Sequence, residues 1–152
     1  MDISVRSIHG IVSLCLMAAA LMLGLAGLVL ANSAAVLLYA ALLVFVPLVV
    51  TYSYCAKCPC ARVGCGHVVP EWIASRFFHR TQGPYTPLDY IGAVAPFAVI
   101  VAVPQAALWR HTGLFVAYWA LMAAAMVEIA AFVCPSCDNT YCILCRGKGR
   151  NG

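Results

Sequence analysis

Charged residues are scarce in this chain. Asp, Glu, Lys and Arg make up 9% of its 152 residues, and only five of those are acidic, whereas a soluble domain is about a quarter charged and about half apolar. With 64% hydrophobic residues, the composition excludes an ordinary soluble domain, and the length allows one domain. Paired carboxylates, a nucleophile set beside its base and a glycine-rich phosphate loop are all lacking in the sequence. The common hydrolytic and phosphoryl-transfer chemistries therefore have little to work with, and an enzyme is not the favoured reading. No basic groove interleaved with aromatics is present either, so the net charge of +4 does not point to nucleic acid.

The apolar residues are gathered into four runs. A membrane-crossing helix needs about 20 mostly apolar residues, because the hydrocarbon core is about 30 Å thick and each residue rises about 1.5 Å. Windows 11–30, 34–54, 90–108 and 113–133 meet that length. The first two are joined by Ala31, Asn32 and Ser33, the last two by Trp109, Arg110, His111 and Thr112. This predicts an all-α integral membrane protein, a single membrane domain of four transmembrane helices in two hairpins. Pro47, Pro96 and Pro104 fall inside the windows and are expected as kinks, since prolines are tolerated where neighbouring helices re-satisfy freed carbonyls. An alternative takes the first thirty-odd residues as a cleaved signal peptide, against which the apolar run is longer than a usual signal core.

Lys and Arg accumulate on the cytoplasmic side of membrane proteins. Arg6 precedes the first window, Lys57, Arg62, Arg76 and Arg80 lie between the second and third, and Arg146, Lys148 and Arg150 follow the fourth; only Arg110 lies opposite. Both termini and everything between the hairpins are thus expected in the cytoplasm.

Eight of the nine cysteines form two clusters. Cys55, Cys58, Cys60 and Cys65 begin a loop over 55–67 that ends in His67. Cys134, Cys137, Cys142 and Cys145 lie in the tail 134–152. Each begins with CxxC where a span ends, and an offset of 79 residues superimposes the two pairs, a weak internal repeat. Two intervening residues let both thiolates turn toward one ion, and four such ligands make a closed tetrahedral zinc site. The eight thiols suit two separate sites or one shared site built from Cys55, Cys58, Cys134 and Cys137. Iron-sulfur clusters also take four cysteines, although neither spacing matches the common ferredoxin runs. A reducing cytoplasm disfavours disulfides. Zinc is therefore the favoured cofactor, with an iron-sulfur cluster second. His67 is a further ligand candidate, and Cys15, isolated in the first span, reads as a packing residue.

Cys58-Pro59-Cys60 resembles the CPC motif of heavy-metal transport ATPases, which sits within a membrane helix of an ATP-driven pump. Here the motif follows the span and no ATP-binding motif accompanies it, so the resemblance implies soft-metal affinity and nothing more. Glu128 lies inside the fourth span about 9 Å from Cys134 at helical rise. It is expected either as a proton relay or as an ion pair with Arg6, His9 or a basic loop residue. Residues 70–80 carry Glu71, Ser75 and His79 on one stripe and Trp72, Ile73 and Phe77 on another, which predicts an interfacial helix on the cytoplasmic leaflet or a helix that docks a protein.

The sequence thus predicts a membrane module whose cytoplasmic cysteines hold metal and which docks a membrane or cytosolic protein partner. Two alternatives are a redox protein, acting as an iron-sulfur relay or as a CxxC thiol carrier loosely like the four-helix membrane disulfide oxidoreductases, and a soft-metal handling protein.

Overall fold

The structure is a computed structural model and describes residues 3–59, 65–78, 83–137, 139, 141 and 142. The described residues are helical, with no strand among them. Helix α1 runs over Ile3–Leu30, α2 over Ala35–Ser53, α3 over Val68–Phe77, α4 over Pro87–Ala102, α5 over Gln105–Leu108 and α6 over Thr112–Glu128. Four stretches are long and apolar enough to cross a membrane: Ser7–Leu30, Ala35–Lys57, Pro87–Leu108 and Thr112–Val133. They match the four expected windows to within a turn at each end. Their outer faces carry large apolar residues such as Leu37, Phe45, Val94 and Val116, all more than half exposed, a surface compatible with lipid and unsuited to water.

Local signals explain the ends. Before α4, Thr86 and Asp89 form a reciprocal capping box with Pro87 in the first turn, where a missing N–H costs nothing. Pro47 and Pro96 lie inside α2 and α4. Pro104 does more than kink its span. It ends α4 at Ala102 and opens the short α5, because its ring excludes the carbonyl four residues back. At the other end of the fourth span, α6 widens into a π-helical turn over Ile129–Val133 before Cys134.

The packing differs from two self-contained hairpins. The largest interfaces join α1 to α6 and α2 to α4, while α1 and α2, consecutive in the chain, share a smaller one. One buried cluster gathers Leu21, Leu28, Tyr39, Val46, Ile100 and Ala107; another gathers Ala20, Leu108, Tyr118 and Met122. Small residues set the closest approaches: a side chain at Gly27 would strike Leu108, and one at Gly24 would strike Tyr39 and Pro104. Cys15 is exposed, so it lies on the outer face and not in the packing role expected of it.

Helix α3 begins at Val68 and ends at Phe77, with His79 and Arg80 outside the described residues. Ala74 is its buried contact, and Val69, Trp72 and Phe77 point outward.

Candidate functional site

The two CxxC motifs adopt the same local structure. After α2, Cys55–Lys57 forms a 3-10 turn, the Cys58 N–H donates to the Cys55 carbonyl at 3.1 Å, and Cys58 turns extended at φ −70°, ψ 127°. After the π-turn, Cys134–Ser136 forms a 3-10 turn, the Cys137 N–H donates to the Cys134 carbonyl at 3.1 Å, and Cys137 turns extended at φ −83°, ψ 131°. The 79-residue offset seen in the sequence thus has a counterpart in backbone geometry.

Both turns lie at one end of the bundle, and Asn139 joins them. Its amide donates to Cys58 Sγ at 3.2 Å and to the Tyr85 hydroxyl at 2.9 Å, while its carbonyl Oδ1 accepts the Tyr141 N–H at 3.0 Å. Asn139 is 2% exposed. Tyr85 stacks on Tyr54 with ring centroids 4.2 Å apart and planes 4° off parallel. The Tyr54 hydroxyl is in turn 3.1 Å from Cys142 Sγ. A stacked tyrosine pair therefore touches a sulfur of each cluster. Burial raises the Tyr85 pKa, with the neighbouring Cys58 sulfur adding to it, so this hydroxyl keeps its proton and serves as a donor.

Cys65 completes the corner. Burial pushes its thiol up to about 11; the His67 N–H opposes this by bonding the sulfur, and Cys58, Glu71 and Cys137 push it up further as neighbouring charges. Cys55 lies in the same electrostatic neighbourhood as Cys58 and Cys65. The Glu71 carboxylate accepts the Cys65 N–H. The segment lies flat on the first helix: Gly66 is buried, and a Cβ at Gly10 would collide with the Gly66 carbonyl. His67 Nδ1 is buried without a hydrogen-bond partner among the described residues. Burial lowers the His67 pKa, so the ring is neutral with a lone pair to offer.

Two ion pairs brace the end. Lys57 Nζ is 2.8 Å from Asp89 Oδ2, which also accepts from the Thr86 N–H and hydroxyl, so the first CxxC is tied to the start of α4. Glu128 Oε2 is 2.7 Å from His9 Nδ1, and the His9 ring stacks on Phe132 of the π-turn at 4.4 Å. Of the partners weighed for Glu128 from sequence, His9 is in contact with it, while the side chains of Arg6, Arg62 and Arg80 lie outside the described residues.

The fold thus brings Cys55, Cys58, Cys65, Cys137 and Cys142 to one corner, with Cys134 opening the second turn. Cys60 and Cys145 lie outside the described residues. No disulfide joins the described cysteines. Among the described residues, no group of three or more Cys, His, Asp or Glu side chains is arranged to hold a metal ion, so the shared set Cys55, Cys58, Cys134 and Cys137 does not stand assembled, while the two separate sets each include a cysteine, Cys60 or Cys145, outside the described residues. Sequence reasoning missed Asn139, Tyr54 and Tyr85, which carry no motif, and Asp89, which does: Thr86-Pro87-Leu88-Asp89 before an apolar run is a capping-box signature.

These features define a class, an all-helical protein with four helices long and apolar enough to span a membrane and a thiol-rich, hydrogen-bonded end. Compared with known families, characterised proteins and solved structures, the chain matches none of them.

Proposed function

We propose that the thiol-rich end binds one zinc ion shared between the two cysteine segments, and that the clamped end is a docking module for a partner protein. The observation that supports this reading is that Cys58, Cys65 and Cys137, each part-buried, lie near enough at one end of the bundle to influence one another electrostatically, with Asn139 bonded to Cys58. The neighbours of these sulfurs include the polar side chains of Asn139, Tyr54 and Tyr85, a setting more polar than an apolar packing site. Thiols suit zinc, which displaces their protons as it binds, and His67 Nδ1, without a partner among the described residues, is a chemically matched additional donor. Cys55, Cys58, Cys65 and Cys137 are the ligands we assign, with His67 able to replace one of them. Zinc would supply cross-linking free energy to segments whose sequences hold few large apolar side chains.

The side is argued from charge: eight of nine Lys and Arg flank the cysteine end, so that end faces the cytoplasm, where thiols stay reduced. Helix α3, with Trp72 and Phe77 outward, lies at the interface beside the site.

The test is anaerobic purification of the full chain in mild detergent, followed by elemental analysis and visible absorption. Colourless protein with bound zinc supports the proposal. Brown protein with iron and sulfide would replace it with an electron relay, and metal-free protein with titratable thiols would replace it with a thiol carrier.

A further inference from the structure

The end of the bundle opposite the cysteines holds a groove that the cysteine chemistry does not use. It has a volume of about 220 Å³ and is lined by Leu28, Ala31, Ser33, Val103, Ala107 and Arg110. Its floor is the packed contact of α1 with α5: Leu28 and Ala107 are buried there, at the level where Gly27 lets Leu108 approach. Its rim is made by two tight turns, 31–34 and 109–111.

Charge singles out the occupant. Arg110 is the one Lys or Arg in either turn, and neither turn contains an Asp or Glu. Glu71, Asp89 and Glu128 belong to the other end, where Asp89 and Glu128 pair with Lys57 and His9. Arg110 is exposed and has no carboxylate partner among the described residues. Ser33 Oγ accepts the Ala35 N–H at 3.2 Å, which leaves its hydroxyl hydrogen to donate. A guanidinium and a hydroxyl at the mouth of the groove match the oxygens of a phosphate.

Depth and shape favour a lipid phosphate over a free one. Trp109, 72% exposed beside Arg110, is the kind of residue that lies at headgroup level. Apart from Ser33 and Arg110 the residues lining the groove are apolar, and Val29 and Leu30, next in sequence to Leu28, are exposed, so an acyl chain can follow the phosphate into the groove, whereas a free ion would leave those walls wet. The volume is smaller than the roughly 300 to 1,000 Å³ of a site for a drug-sized molecule and suits a headgroup with the start of one chain. We propose that this groove binds the phosphate of one anionic phospholipid through Arg110 and Ser33.

The full chain in mild detergent, titrated with phosphatidylglycerol and with phosphatidylcholine of the same chains and read by native mass spectrometry, tests this. The expected result is one phosphatidylglycerol held per chain about tenfold more tightly than phosphatidylcholine. Arg110→Gln should abolish that preference, Arg110→Lys should keep part of it, and Ala106→Leu, at the exposed wall of the groove, should weaken retention with the charge intact. Equal retention of the two lipids would overturn the proposal. So would an Arg110→Gln protein, with an unchanged melting temperature, that still prefers phosphatidylglycerol, or displacement of the lipid by millimolar inorganic phosphate. The metal content of the other end plays no part in these readouts, so the two proposals fail independently.

Discussion

The amide of Asn139 has two hydrogens, and both are used, one on Cys58 and one on Tyr85. Replacing it with Ala takes a donor from a part-buried thiol and a part-buried hydroxyl, at about 1 kcal/mol for each bond lost. Because the lost bonds join the tail to the rest, Asn139→Ala should speed proteolysis after Val133 roughly tenfold or more while leaving helix content unchanged. An equally protected tail would show that the segments are joined by something else. A second residue-scale contrast lies within the spans. Tyr39 and Tyr118 are both fully buried, but the Tyr39 hydroxyl donates to the Leu21 carbonyl at 3.3 Å, whereas the Tyr118 hydroxyl has no partner among the described residues. Tyr39→Phe should therefore lower stability by about 1 kcal/mol, and Tyr118→Phe should be neutral or stabilising, as measured by thermal unfolding in detergent. Loss of stability in both would indicate a partner for Tyr118. None of these three roles was legible in the sequence, because Asn and Tyr reveal a role only through what tertiary contact places beside them.

Among the elements, the closest contact at the cysteine end is between α1 and the Cys65–His67 segment. A methyl group at Gly10 has nowhere to go, since the atom it meets is the Gly66 backbone carbonyl. Gly10→Ala should push that segment off α1 and make Cys65 quickly alkylated, with insertion unaffected. The control is Gly113→Ala in the first turn of α6, where added atoms meet nothing within 4 Å and helix propensity predicts a gain of up to about 1 kcal/mol. Indifference at Gly10 would mean that the segment does not rest on α1. The four spans were readable from sequence because apolar length alone decides them. So were the matching ends of α2 and the π-turn, since an even number of spans puts both CxxC pairs on one side. The pairing of α1 with α6 and of α2 with α4 was not, because all four helices are apolar all round and lipid-facing and helix-facing sides look alike in composition. The break at Pro104 was read as a kink for a related reason: sequence marks the proline but not whether neighbours can bridge the lost hydrogen bond.

At the scale of the whole molecule, the spans and the cysteine end are separable. Each span satisfies its own backbone hydrogen bonds and is apolar enough to stay in lipid, so insertion should not need metal. The sequence beyond Val133 carries few large apolar side chains to set against an ordering cost of about 1 to 2 kcal/mol per residue, and the proposed ion is what offsets it. Cys137→Ser, or chelation of the wild-type protein, should leave membrane insertion and helix content unchanged and expose the tail to protease; unchanged protection in both would argue against a structural metal. The most direct measurement of the central claim is zinc per chain in wild type, in Cys58→Ser and in Cys137→Ser, purified identically. A single centre built from both segments predicts that each substitution alone removes the same ion, leaving both variants nearly zinc-free. Partial losses that add up between the two variants, or a wild-type protein without zinc, would contradict it.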